Sequence, residues 1–356
     1  MGACWSAPEG DLVASIDIQV TKAKKSNKDL NPADFKVASV TDGVVVKKPG
    51  DVDGVQFLVE DCTNSHVILV DMVGPIAMDN CKGCTVVVGP SDSSVFIRDC
   101  SDCDIIVGCQ QLRLRDCRNV RILLHSQTGP IIESSSGIKF GCYSYDYFGI
   151  GKHFKEHNFC VLKNLWYSVY DFTPATVGKP CNHQLMVPEV DHSAFMDKAA
   201  AKETWEVLAQ QGLAPTGGPM FIPRSCGPQF ADALPGKTYL LCALAVHQDA
   251  LRSAIEGWPL VRGTCSALSR GKLGVIFTKA RVAVPVAAPK TSIFGKAPPE
   301  EPTLVVVLVL KMDGVEDPRA VLVDKGISTA DMCLLEEKTA VDEISRLVFD
   351  VWTQEN

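Results

Sequence analysis

Between residues 54 and 142, apolar and polar residues alternate in short runs broken by Asp, Asn, Gly and Ser. Period-2 alternation of this kind predicts strands, not helices. The runs also repeat. Phe57-Leu58-Val59-Glu60-Asp61-Cys62 returns as Ile76-Ala77-Met78-Asp79-Asn80-Cys81, as Val95-Phe96-Ile97-Arg98-Asp99-Cys100 and as Leu112-Arg113-Leu114-Arg115-Asp116-Cys117. The four cysteines are 19, 19 and 17 residues apart. A repeat near 20 residues is too short for a pair of helices but fits three short strands in one coil of a right-handed parallel β-helix. Stacked coils bury a continuous core that no single coil can bury.

Counting back from each cysteine, positions −5 and −3 are apolar throughout, which places them inside with the cysteine. Positions −4 and −2 then point outward. The −2 row reads Glu60, Asp79, Arg98, Arg115, a charged solvent face. The −4 row reads Leu58, Ala77, Phe96, Arg113, so one arginine interrupts an apolar row. A residue that breaks a rule its neighbours keep marks a candidate functional site. Glu133 follows Arg113 by 20 residues, about one coil, which predicts lateral neighbours and a charge-assisted pair. The plainer alternative is a surface ion pair worth about 0–1 kcal/mol.

Composition changes little of this picture. The chain has 356 residues, 46% of them hydrophobic, and a net charge of −7. Its length suits two domains, and its charge gives no footprint for nucleic acid. The 15 cysteines, without a secretory signal, predict reduced and buried thiols. Cys81-x-x-Cys84 and Cys100-x-x-Cys103 have the spacing of a four-cysteine zinc site. The same frame holds Ser65 and Val120 in the other coils, so a stacked thiol ladder is favoured over a metal.

The first residues, Met1-Gly2-Ala3-Cys4-Trp5-Ser6, fit the N-myristoylation signal at Gly2. One myristoyl chain binds membrane only marginally. Cys4 is a candidate for palmitoylation, and Lys22, Lys24, Lys25 and Lys28 add attraction to anionic lipid. Residues 1–40 are expected to be a flexible leader with a short strand at Val13–Val20. Aromatics between 143 and 180, above all those of the run from Asn164 to Pro174, are expected to cap the solenoid's open end.

Residues 181–236 are expected to be a linker with a helix at Ser193–Gln211, and 237–356 a second domain. Its predicted strands are Lys237–Val246, Lys272–Thr278, Thr303–Met312 and Met332–Glu336. Its predicted helices are Asp249–Glu256, Pro318–Asp324 and Ala340–Trp352. Mixed order of this kind suggests an α+β fold.

Several of these stretches resemble the tubulin-cofactor-C domain family. They are Val55–Asn64, Cys109–Arg118, Ile131–Ser136 and Asp171-Phe172-Thr173-Pro174. The resemblance covers residues 40–190 and implies the β-helix of that family. It implies a GTPase activator acting on tubulin or on an ADP-ribosylation-factor-like small GTPase in ciliary trafficking of lipidated proteins, with no reaction of its own. Such a protein needs no cofactor beyond the GTP and Mg held by its partner. By the same resemblance Arg113 is an arginine finger, Glu133 positions it and Gln110 reaches the GTPase active site. Gln111, Arg115 and Phe172 are then partner-binding positions. The lipidated start implies the cytoplasmic face of membranes, including the plasma membrane and the base of a cilium or flagellum. For 237–356 it implies a ferredoxin-like domain related to nucleoside diphosphate kinase. His247 lacks the sequence that surrounds a kinase histidine, so that domain is expected to be a non-catalytic interaction module. Two departures stand out: Ala3, not a cysteine, follows Gly2, and Leu112 replaces a phenylalanine. A tubulin-folding factor and a non-catalytic adaptor are the other function classes.

Overall fold

Two of the corners in each coil of the solenoid are marked by the sequence. Asp61, Asn80, Asp99, Asp116 and Ser134 form one column of left-handed residues, with φ between 47° and 56°. Asn64, Gly83, Asp102, Asn119 and Gly137 form the second, with φ between 48° and 68°. Short polar side chains tolerate this region because they bond locally, whereas bulky ones clash there. Corner side chains also stack from coil to coil. The Asn80 amide donates to Asp61 Oδ1 at 2.8 Å, and the Asn119 amide to Asp102 Oδ1 at 3.2 Å. Gly83 sits where a Cβ would come 2.5 Å from Asn64 Oδ1.

The structure, a computed structural model, describes residues 31–173, 181–187, 190–195, 206, 208–210, 213, 220–268, 270–279, 303–315, 317–336 and 338–349. Two compact units divide between Arg224 and Ser225. In the first, parallel strands stack into two long sheets. One sheet runs through Lys36–Ala38 (β1), Phe57–Glu60 (β3), Ile76–Asp79 (β5), the ends of Thr85–Arg98 (β6) and Asp104–Arg115 (β7), then Ile131–Glu133 (β9) and Tyr170–Asp171 (β11). The other runs through Val44–Lys47 (β2), His66–Leu69 (β4), the starts of β6 and β7, Arg121–Ser126 (β8), Ile138–Cys142 (β10) and His183–Leu185 (β12). The third side of the coil is a single bridge, Thr41–Thr63–Lys82–Ser101–Arg118–Ser136, rather than a third strand. Its two corners stand three residues apart, which leaves room for only two residues between them.

The inward rows are buried as the alternation predicts. Phe57, Val59, Leu112 and Cys117 have no exposure, and Ile76, Met78, Val95, Ile97, Cys81 and Cys100 have at most 3%. Each such apolar side chain contributes about 1.5–3 kcal/mol. The cap expectation holds for part of the aromatic stretch. Tyr143, Tyr145, Tyr147, Phe154, Phe159 and Trp166 are buried, with Phe154 on a short helix, Ile150–Glu156 (α1). Phe148, Tyr170 and Phe172 are exposed instead. Asn164 pins the cap: its Oδ1 accepts from the Ser126 and Trp166 amides, and its Nδ2 donates to the Leu124 carbonyl.

The linker expectation for 181–236 is corrected at both ends. His183–Leu185 adds a parallel strand beside β10, because its backbone completes the open sheet edge. Phe195 is buried under the Arg121 guanidinium, 4.7 Å from its ring centroid. His192–Phe195 is a 3-10 helix and Glu206 is helical; much of the expected Ser193–Gln211 helix lies outside the described residues. So do Gly2, Cys4, the basic cluster, the Val13–Val20 strand and Pro174, but the end of the expected flexible leader is corrected: Pro32–Phe35 is a 3-10 helix and β1 pairs with β3, burying Val37.

The second unit is a four-stranded antiparallel sheet of Lys237–Leu244 (β13), Leu260–Leu268 (β14), Thr303–Met312 (β15) and Met332–Leu335 (β16), in the order β14-β15-β13-β16. Numbered along the chain this is 2-3-1-4, the ferredoxin-like arrangement expected. Helices Gln248–Ala254 (α2) and Pro318–Asp324 (α4) pack on each other. Lys338–Phe349 (α5) packs on the sheet. One expectation fails: Lys272–Thr278 lies in a helix, Arg270–Lys279 (α3), not a strand. Its buried residues Leu273, Ile276 and Phe277 follow i, i+3, i+4 spacing, the helical period hidden in a short apolar run.

His125 is fully buried between Phe154 and Phe159, and burial depresses its pKa to about 4. Below about 6.5 the unfolded chain takes up a proton that the folded chain refuses. Stability should therefore fall by about 3 kcal/mol as pH drops from 7 to 4, and His125→Phe should flatten that limb in urea titrations. Asn164→Ala strands three buried backbone groups and should cost about 2–4 kcal/mol in the same assay.

Candidate functional site

Strand β7 crosses from one sheet to the other at a corner spanning 108–111. Equivalent corners span 70–75, 89–94 and 125–129, so this is the shortest turn of the stack. Register slips here: Cys109 pairs with Ser91, but Gln111 with Ser94. With the shift between Val88 and Ser91, the neighbouring strand carries two extra residues across this corner, and such bulges re-aim side chains. Gln110 and Gln111 both emerge half-buried between buried Cys109 and Leu112. The Gln110 carbonyl accepts from the Thr128 hydroxyl at 2.9 Å, which holds the corner. From Gln111 onward alternation is regular: Gln111, Arg113 and Arg115 face out, while Leu112 and Leu114 are buried.

Strand pairing extends each outward row. Leu58, Ala77, Phe96, Arg113, Ile131 and Tyr170 lie side by side across six coils. The next row holds Glu60, Asp79, Arg98, Arg115 and Glu133. The expectation that Glu133 neighbours Arg113 is thus corrected. This coil advances 18 residues, not 20, so Arg113 pairs with Ile131 and Glu133 with Arg115. Glu133 still shares the outward face, one strand over and two residues on. Phe172, whose amide donates to the Ile132 carbonyl, stands on the following strand with its ring 4.7 Å from Tyr170. The structure therefore brings Gln111, Arg113, Arg115, Glu133 and Phe172 onto one face and sets Gln110 at its edge.

The electrostatics single out Arg113. Arg98 is bidentate to Asp79, and Arg121 to Asp104. Arg118 donates to Ser136, and Arg115 lies 3.3 Å from Asp116. Arg113, the remaining arginine of the solenoid, has no hydrogen bond or ion pair among the described residues. Its guanidinium rests on the ring face of Phe96, 5.4 Å from the centroid. The ground around it is apolar and open: Phe96, Tyr170 and Phe172 are 38%, 47% and 53% exposed. Sequence reasoning did not find Ile131 or Tyr170 as neighbours of Arg113. Only the 18-residue advance of the last coil and the strand at Tyr170–Asp171 show them.

The thiols form the expected ladder. Cys81, Cys100, Cys103 and Cys117 are buried, and each sulfur bonds the carbonyl of the residue two before it, at 3.1–3.3 Å. Among the described residues no three His, Cys, Asp or Glu side chains are grouped to hold a metal ion. In the second unit His247 meets Asp331 at 3.0 Å.

A parallel β-helix presenting an arginine with unspent donors is the class of protein that this architecture defines. Residues 54–172, most of the solenoid, match the family model Tubulin binding cofactor C. The chain is similar to Protein XRP2 of Danio rerio, 40% identical over 186 residues, covering 51% of this chain and 49% of that protein. Human Protein XRP2 is 40% identical over 147 residues, 41% of this chain and 42% of its own length. Human Tubulin-specific chaperone C is 32% identical over 175 residues, 49% of this chain and 51% of its own. The chain spans about half the length of the curated relatives it matches.

Burial pushes the Cys109 thiol up to about 12, so it stays protonated at neutral pH. Cys181 is exposed. Brief maleimide treatment at pH 7 should label Cys181 well before Cys109, read by peptide mass spectrometry. Equal labelling would contradict the closed core.

Proposed function

We propose that this chain is a GTPase-activating protein that supplies Arg113 in trans to an ADP-ribosylation-factor-like small GTPase. One observation carries the reading. Among the described residues, Arg113 alone of the solenoid arginines keeps its donors unspent, on a rigid strand within an apolar row.

Phosphoryl transfer asks little covalent chemistry of a protein. It asks for positive charge and donors where negative charge develops on the γ-phosphoryl oxygens, and an arginine given in trans contributes about 10³–10⁵ in rate. The guanidinium suits this task because it is always charged and its planar fork matches phosphate oxygens. A strand inside a ladder holds its Cα, so little backbone entropy is lost on docking. Phe96, Ile131, Tyr170 and Phe172 provide the apolar ground that excludes water around it. Gln110 and Gln111, at the tight corner, reach toward the nucleotide edge. Arg115 meets the partner's surface, and Glu133 exerts its positioning role diagonally. The GTP and Mg belong to the partner.

In this reading Gly2 carries myristate and Cys4 palmitate, and together they hold the protein on the cytoplasmic face of membranes, including the plasma membrane and the base of a cilium or flagellum. Its task there is the traffic of lipidated proteins, and the second unit serves as an interaction module. Similarity to Tubulin-specific chaperone C supports tubulin as the second candidate partner.

Arg113→Ala should still be retained on a GTP-locked ADP-ribosylation-factor-like protein in a pull-down but lose about 10³-fold or more of its stimulation of single-turnover hydrolysis. Arg113→Lys should restore little of it, since ammonium lacks the fork. Equal stimulation by Arg113→Ala would remove the finger, and retention on tubulin alone would favour the second partner. Mass spectrometry of the mature N-terminus from eukaryotic cells should show a myristoylated Gly2.

A further inference from the structure

We infer that Phe96 is a positioning residue for Arg113: its ring face fixes the guanidinium in the free protein and leaves every N–H donor available. The inference rests on the arginine-finger reading and adds a residue to it.

Position supports this first. Phe96 and Arg113 are direct lateral partners in the parallel register, on the same outward row. The equivalent residues in the two preceding coils are Leu58 and Ala77, so the row does not require an aromatic there. Phe96 is 38% exposed, and a phenylalanine gains little by standing half in water. Its ring lies 5.4 Å from the Arg113 guanidinium carbon, within the range of a cation–π contact.

The chemistry of the contact supports it next. A carboxylate neighbour would orient an arginine by consuming the donors that a phosphoryl group needs. An aromatic face holds the guanidinium by its π surface and consumes none. The other stacked arginine of this unit shows the contrast. Arg121 lies over Phe195 but is also bidentate to Asp104 and bonded to the Ala194 carbonyl, so its donors are committed to structure. Arg113 has the stacking without the commitment. Confining a long side chain before docking removes an entropic cost from the transition state.

Two measurements test this. In the free, full-length protein, the Arg113 side-chain Nε–H resonance, assigned by its loss in Arg113→Lys, should be ring-current shifted. Phe96→Leu should return it toward the ordinary arginine position, while Phe96→Tyr keeps it shifted. An unshifted wild-type resonance overturns the inference. The second measurement uses single-turnover hydrolysis by a GTP-loaded ADP-ribosylation-factor-like GTPase at saturating protein. Phe96→Leu should lower the maximal rate about two- to five-fold with unchanged half-saturation, and Phe96→Tyr should match wild type. In an Arg113→Ala background Phe96→Leu should have no further effect. A Phe96→Leu variant that changes half-saturation alone makes Phe96 a simple contact and overturns the inference, as does an unchanged maximal rate. If Arg113→Ala abolishes stimulation while Phe96→Leu does not reduce it, only this inference fails. If Arg113→Ala stimulates fully, the function reading fails as well.

Discussion

Every outward side chain of the solenoid owes its neighbours to the coil-to-coil hydrogen-bond ladder. Parallel strands stand about 4.8 Å apart, and matched residues of successive coils stack at that spacing. A slip of one residue would turn an entire row from solvent to core. The left-handed corner columns prevent such a slip, because they fix where each coil bends. Their amides join the ladder too: Asp61, Asn80, Asp99 and Asp116 each donate to a carbonyl one coil on. The corner residues and the buried rows therefore specify the same register by independent means.

That register sorts the arginines into two kinds. In the outer charged row Arg98 faces Asp79, and such a pair is satisfied and largely inert. On the apolar row Arg113 makes no ion pair among the described residues, so its guanidinium stays uncommitted. The difference between a structural and an available guanidinium is thus a matter of two residues along one strand. Arg113 and Arg115 share a strand, a face and a solvent, yet Arg115 has Asp116 and Glu133 beside it while Arg113 has a phenyl ring and Ile131.

The solenoid was legible in the sequence because its signal is redundant. The Asp/Asn-Cys corner and the inward pairs repeat in coil after coil, so one ambiguous run is corrected by the next. The second unit offers no such repetition. There Lys272–Thr278 carries strand propensity, and only its packing selects the helix that buries Leu273, Ile276 and Phe277. The site was legible as an anomaly at Arg113 but not as a neighbourhood. A difference of two residues in coil length moves Glu133 from Arg113 to Arg115, and sequence spacing alone does not say where a solenoid shortens.

Where it shortens bears on function. Coils one and two advance 19 residues, and the third advances 17, yet alternation in the first sheet survives. The difference is two residues, an even number, so each side chain keeps its side, and the deletion falls on the corner at 108–111. A longer corner would arch over the start of the outward face, beside Gln111 and Arg113. The short one leaves that face bare while turning both glutamines outward. Shortening the coil by two residues thus trims the corner beside the arginine and keeps the arginine on the outside; a change of one residue would turn the charge into the core.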